Sequence, residues 1–256
     1  MGSTEDQGGG TRERLMRVQL RCLTYATLTV AMLMTAQAVA ADVPTSTALS
    51  ERMSAEEIVL RLKRGNEQRA AALRAYEGRR SYSLSYHGFP SDRAAGEEVV
   101  VRFTAPESKS FEVISESGSK MIQSKVFARL LESESEAAHA ENQRATALTQ
   151  ENYIFTLLGT RPSTHGGCYR LGVEPRRENK FLYRGEICVN AADFAVESID
   201  AEPAKNPSFW IKKTRIEHRY EKVGQFWLPA WNQTVTNVRL GGTATLSIVY
   251  SGYEFR

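Results

Sequence analysis

The chain has 256 residues, of which 33 are Lys or Arg and 30 are Asp or Glu, for a net charge of +3. So small an excess argues against nucleic acid or an anionic surface as a partner. The length is that of one ordinary domain with a real core, preceded by a leader.

That leader comes first in chain order. Residues 17–41 read RVQLRCLTYATLTVAMLMTAQAVAA, after a basic flank of Arg12, Arg14, Arg17 and Arg21. A basic flank, an apolar run from Cys22 to Met34 and the small-x-small site Ala38-Val39-Ala40 predict a secretory signal peptide cleaved near Ala40. The apolar run is shorter than the ~20 residues a membrane span needs. Cys22 does not fit a lipoprotein signal, because Arg21 stands where a small residue is required and the apolar run follows the cysteine. Met16 is an alternative start that would remove the polar leader. The expected location is the periplasm, with residues 41–53 a flexible mature N-terminus and residues 54–256 a single domain.

Ser54 and Glu57 have capping-box spacing. They open a predicted helix from about Ala55 to Tyr76, with Ile58, Val59, Leu62, Ala70, Leu73 and Tyr76 on its apolar side and Gly65-Asn66 weakening its middle. Ser81–Tyr86 alternates strictly and predicts a half-buried strand. Glu98–Thr104, with Val99, Val101 and Phe103 on one face, and Ser110–Ser115, with Phe111 and Val113, continue it as a meander. From Gly118 to about Ala138 the period becomes helical through Ile122, Val126, Phe127, Leu130 and Leu131. The run Glu132–Glu136 reads as a solvated helix end, followed by a polar loop to Gln150.

Strands then continue at Asn152–Leu158, through a cysteine hairpin, and at Phe194–Ala201, Trp210–Tyr220 and Phe226–Leu228. Two closing strands flank a three-residue loop Gly241-Gly242-Thr243, which would set Val238 and Leu240 against Leu246 and Ala244. The order of helix, three strands, helix and about seven strands predicts an α+β fold: one antiparallel sheet of about ten or eleven strands with helices over its apolar face.

Cys168 and Cys188 are the cysteines left after cleavage, an even count that suits a disulfide in an exported chain. Folding CYRLGVE back on LYRGEIC about the turn PRRENKF sets Cys168 opposite Cys188 and Arg170 opposite Glu186. Directly opposed residues have Cβ atoms ~4.5–5.5 Å apart, close to bridging range.

No catalytic or metal-binding constellation is present. His87, His139, His165 and His218 lie outside metal-ligand spacing of one another, and His165 in RPSTHGG reads as a surface-loop residue. Nucleophile-elbow, P-loop and dinucleotide motifs are absent. The chain is therefore expected to be neither an enzyme nor a cofactor protein. Aromatic residues are the more suggestive feature: Phe209-Trp210, Phe226-Trp227 and Trp231 late in the chain, and Tyr82, Tyr86, Phe103 and Phe111 in the early strands. Each reads singly as core, yet a curved sheet with one apolar face under helices can be left hollow to hold an apolar ligand.

Residues 150–256 carry a family resemblance. The strand pair YRGEICVNAADFAV, the hairpin SFWIKKTRIEHRYEKVGQFWLP, the closing Tyr-rich strand and the preceding ENYIFTLLG resemble the LolA-like outer-membrane lipoprotein-sorting proteins. The resemblance implies a strongly curved, incomplete antiparallel barrel whose open face is covered by helices. It implies a monomeric periplasmic carrier that shelters lipid or lipoprotein acyl chains and meets inner- and outer-membrane sorting machinery. Each acyl methylene withdrawn from water is worth about 0.8 kcal/mol. A regulatory or sensor module of the envelope, built on the same scaffold, is the alternative. The cavity is expected between sheet and helices, lined partly by Leu84, Val101, Phe103 and Val113, unless the sheet curls to the other face.

Overall fold

The computed structural model describes residues 53–256, except 107, 180, 206–208, 210 and 240. The expected signal peptide and, but for Met53, the expected mature N-terminus lie outside the described residues, as do Trp210 and Leu240.

Helix α1 spans Ala55–Ala72. The Ser54 hydroxyl accepts from the Glu57 amide (3.2 Å), while the Glu57 carboxylate turns to Arg61 at 2.6 Å. The helix runs straight through Gly65-Asn66 and stops at Leu73, whose backbone is extended. Tyr76 therefore belongs to the first strand and not to the helix. Arg69 ends α1 by donating to the carbonyls of Asp193 (3.1 Å) and Phe194 (3.3 Å), so the helix C-terminus is docked on a distant turn.

Ten strands follow: β1 (Ala75–Gly88), β2 (Arg93–Thr104), β3 (Ser108–Gly118), β4 (Tyr153–Arg161), β5 (Cys168–Pro175), β6 (Tyr183–Asn190), β7 (Val196–Pro203), β8 (Ile211–Val223), β9 (Phe226–Val238) and β10 (Gly242–Phe255). They form one antiparallel sheet in the order β3-β2-β1-β10-β9-β8-β7-β6-β5-β4. Pairing of β1 with β10 joins the early meander to the late one. The expected break between Phe226–Leu228 and the closing strands does not occur, since β9 passes through Pro229 as one strand with a register shift opposite Arg219-Tyr220.

The edges of the sheet are β3 and β4, and they are consecutive in the chain. The segment joining them must cross from one edge to the other, which is why it covers the open face. It holds α2 (Lys120–Ile122), a π-helical turn (Gln123–Phe127), α3 (Ala128–Ala137) and α4 (Ala140–Thr146). Gly118 starts the crossing with φ +79°, where a Cβ would collide with the Ala94 carbonyl, and the Ser119 amide then donates to that carbonyl at 2.8 Å. The helix ends at Ala137, as its period predicts, and α4 then stands where a polar loop was expected.

Two cores lie on the covered face. One packs Ile58, Val59 and Leu62 of α1 against Leu171, Val173, Ile187 and Ile199. The other packs Ile122 and Phe127 against Tyr82, Leu84, Val99, Val101 and Ile248. Both α1 and the crossing segment are held by such burial, worth about 1.5–3 kcal/mol for each large apolar side chain.

Two expected registers are displaced, by two residues in the cysteine hairpin and by four in the β9–β10 hairpin. In the cysteine hairpin, Cys168 faces Asn190 and Cys188 faces Arg170. The disulfide Cys168–Cys188 is consequently diagonal, its Cα atoms 5.6 Å apart, and the Arg170–Glu186 pair is diagonal too, with bidentate bonds of 2.6 and 2.7 Å. Strand twist brings one diagonal into bridging range. In the β9–β10 hairpin the loop is residues 239–241, with Gly241 at φ +82°. Leu246 then faces Thr234 and Ala244 faces Thr236.

Candidate ligand-binding site

Strand parity decides which side chains meet the helices. Arg80, Tyr82, Leu84 and Tyr86 of β1 share the inner face with Val99, Glu97, Ala95 and Arg93 of β2, and with Tyr250, Ile248, Leu246 and Ala244 of β10. The crossing segment runs along this row. Ile122 packs in the same core as Leu84, the Phe127 ring stands 5.9 Å from that of Tyr82, and Glu134 meets Arg80.

The inner face is not hollow throughout. Phe127, Val99 and Val101 are at most 1 % exposed, so the space beneath α3 is packed. Free volume remains at the end where the crossing begins, as an apolar cavity of about 540 Å³. Leu84, Tyr86, Ala244 and Leu246 form its sheet wall, and Met121, Ile122 and Val126 form its helical wall. Thr234 and Thr236 add hydroxyls, and Phe89 and Arg93 stand at its rim. Phe89 is 76 % exposed and Met121 52 %, so large apolar surface is left around the mouth. Val126 reaches the cavity from the π-helical turn, a local widening that recurs at functional sites.

Of the four residues expected to line a cavity, Leu84 borders this one. Val101 is sealed in the core, Phe103 is half-buried and stacks on Tyr76 with ring centroids 5.4 Å apart, and Val113 is 45 % exposed on edge strand β3. Sequence reading missed Tyr86, Leu246 and Ala244, although they share the parity of Leu84 across β1 and β10. It noted Ile122 and Val126 at helical spacing without assigning them to the site.

Further along the inner face lies a charged cluster. Arg80, 6 % exposed, donates to both carboxylate oxygens of Glu134 (2.6 and 2.7 Å) and to the Tyr82 hydroxyl (3.0 Å). Lys109 adds a third bond to Glu134 at 2.9 Å. The guanidinium also lies over the rings of Tyr250 (4.9 Å) and Phe111 (5.6 Å). Burial works to raise the Glu134 carboxyl, but Arg80 and Lys109 outweigh it and hold its pKa below the ordinary value. Burial pushes the Tyr82 hydroxyl up to about 12. Glu134 is thus an anchor, and not part of a solvated helix end. Glu97, on the same face and 5 % exposed, has one carboxylate oxygen without a partner, and burial raises its pKa, with Glu116 adding to the shift.

Acid–base or nucleophilic chemistry finds little support. Ser163 donates to Glu197 at 3.0 Å, but the exposed His165 turns its ring toward Trp227 (4.8 Å) and does not bridge the pair. Among the described residues, the grouping with metal-ligand spacing is Cys168, Cys188 and Glu197, and its sulfurs are joined to each other. A second groove of about 680 Å³, more open than the inner cavity, lies on the outer face, where Ile154 and Leu158 stand beside the charged groups Glu174, Arg184, Asp200 and Lys213.

No helix among the described residues is long and apolar enough to cross a membrane. No family model matches the chain, and no curated protein matches it. Solved structures similar to it include a DUF1329 family protein from Desulfovibrio piger, at 12 % identity over 79 % of this chain and 93 % of that one, with a TM-score of 0.38. They also include a LolA superfamily protein from Nitrosomonas europaea, at 8 % identity over 80 % and 94 %, with a TM-score of 0.36. A third is the Pseudomonas aeruginosa MucA/MucB complex, at 9 % identity over 77 % and 93 %, with a TM-score of 0.27.

Proposed function

We propose that this protein is an exported carrier that binds lipid or lipoprotein acyl chains in the inner-face cavity and serves outer-membrane sorting from the periplasm. The observation that carries the reading is the cavity itself: apolar walls from β1, β10 and the crossing segment, with Phe89 and Met121 exposed at its mouth. An apolar site of this size, entered past exposed apolar side chains, suits a chain that must be taken from one membrane and released to another. The Arg80–Glu134 tie holds the helical wall over the sheet, so uptake of a bulkier cargo requires that tie to open.

The test is uptake of the neutral apolar dye N-phenylnaphthylamine by the mature protein. Wild type is expected to bind it with enhanced fluorescence, and Ala244→Phe, which fills the cavity, is expected to lose most of that signal while remaining folded by circular dichroism. Mass spectrometry of protein purified natively from its host should find co-purified lipid or lipoprotein. A folded wild-type protein that takes up no dye and carries no lipid removes the carrier reading and leaves the envelope sensor in its place.

A further inference from the structure

Arg93 begins β2 and lines the cavity at its rim. Its backbone pairs with Tyr86, while its side chain is exposed and has no hydrogen bond or ion pair among the described residues. Charged groups close to it in the chain or fold are engaged elsewhere. Asp92 accepts from the Gly88 amide (3.0 Å) and faces His87 Nδ1 at 2.9 Å. Glu116 lies 3.4 Å from Lys120. The apolar cavity therefore carries an unneutralised guanidinium at its mouth.

We propose that the cavity takes a single fatty acid, with the acyl chain between Leu84, Ile122 and Leu246 and the carboxylate on Arg93. The proposal rests on the carrier reading of the same cavity and adds to it the ligand class. Size favours one chain: about 540 Å³ is the volume of a single small-molecule site, and the inner face beneath Phe127 is already packed. Charge favours a carboxylate. A guanidinium presents a planar fork that matches a carboxylate through two parallel N–H···O bonds. A phosphate monoester carries about −1.5 to −2 charge and would leave part of it unmatched by one arginine.

Displacement of bound N-phenylnaphthylamine by lauric acid, lauryl alcohol and lysophosphatidic acid tests this in wild type, Arg93→Gln and Ala244→Phe. Wild type is expected to bind the acid about tenfold tighter than the alcohol, the scale of one charge-assisted hydrogen bond partly screened at a rim. Arg93→Gln should abolish that preference and leave alcohol binding unchanged, and Ala244→Phe should weaken both. Equal binding of acid and alcohol by wild type, or a preference that survives Arg93→Gln, overturns the proposal while the carrier reading stands. Tighter binding of lysophosphatidic acid than of lauric acid overturns the carboxylate assignment. Absence of dye uptake by folded wild type removes both readings together.

Discussion

Arg80 and Glu134 are 54 positions apart in the chain, yet the guanidinium of one lies 2.6 Å from a carboxylate oxygen of the other. The pair ties α3 to the middle of β1, between the two ends of the segment that crosses the sheet. Arg80 stands in a row of inward side chains, Tyr82 and Leu84 among them, where a charge costs several kcal/mol unless it is paired. The tie is therefore one-sided in its consequences: it adds modestly when intact and costs heavily when half is removed.

Glu134→Gln should destabilise the protein by about 3 kcal/mol, the low end for breaking a buried pair because a quarter of the Glu134 side chain is exposed. Urea unfolding measures it. The triple variant Arg80→Met, Lys109→Met, Glu134→Leu should recover most of the loss, since apolar replacement of Glu134 and of both cations bonded to it leaves no unpaired charge. A triple variant as unstable as the single one would show that the cluster itself, and not its orphaned cations, holds the helix.

Acid should release the same tie. The folded pKa of Glu134 is depressed below its ordinary value of 4.5, so its contribution is present above that value and is lost as pH falls through the folded one. Hydrogen exchange in acid should therefore rise in α3 before it rises in β5 and β6. Simultaneous loss of protection in all three would assign the acid transition to the sheet.

The Cys168–Cys188 bridge closes a 20-residue separation, for which loop-closure entropy gives roughly 3 kcal/mol. Because β5 and β6 are already paired, Cys168→Ala with Cys188→Ala should cost less, about 2 kcal/mol. Alkylation of the mature protein without reductant should label neither cysteine, and labelling of both would refute the bridge.

The hairpin holding that bridge shows what alternation can and cannot settle. A slip of two residues keeps every side chain on its face, so Leu171, Val173 and Ile187 are inward in the expected register and in the observed one alike. The pattern therefore defined the faces and left the partner of Cys168 open between Cys188 and Asn190. The β9–β10 hairpin failed in the same way. The helix-covered antiparallel sheet was legible because helical and strand periods change cleanly at Ser54, Gly118 and Asn152. The end of α1 was not, since Tyr76 satisfies the helical spacing while its backbone pairs with Phe103 and Phe255. Arg80 and Glu134 were hidden for a different reason. Each sits among charged or polar neighbours in sequence, and only the three-dimensional crossing of α3 over β1 makes them buried partners. Val101 and Phe103 were assigned to a cavity because parity says which face a residue takes and says nothing of whether a helix fills the space above it.

Core and cavity should accordingly respond differently to substitution. Phe127→Ala, at a site with no exposure, should cost about 3–5 kcal/mol in denaturant unfolding. Val101→Glu should unfold the protein instead of merely blocking uptake, because the carboxylate would enter a sealed core. Ala244→Phe should leave the unfolding midpoint nearly unchanged, because its ring enters free volume. A midpoint lowered as much by Ala244→Phe as by Phe127→Ala would mean that the cavity is packed in solution.

His218 supplies a second pH effect in a different window. Its ring lies on the inner face of β8 opposite Asn232, whose amide nitrogen is 2.9 Å from Nε2, an arrangement a neutral imidazole satisfies by accepting. Burial lowers its pKa from 6.5 to about 4, and Arg219 adds to the shift while Glu134 opposes it. The folded protein thus resists protonation that the unfolded chain accepts. Stability should fall as pH drops from about 6.5, continue to fall until about 4, and then level as far as this group is concerned. His218→Gln keeps a polar partner for Asn232 and has nothing to titrate in that window. Its urea midpoint should be flat from pH 6.5 down to about 5 and decline only below that, where carboxylates such as Glu134 begin to protonate in the unfolded chain. Equal slopes for wild type and His218→Gln across the window would show that His218 titrates as freely folded as unfolded.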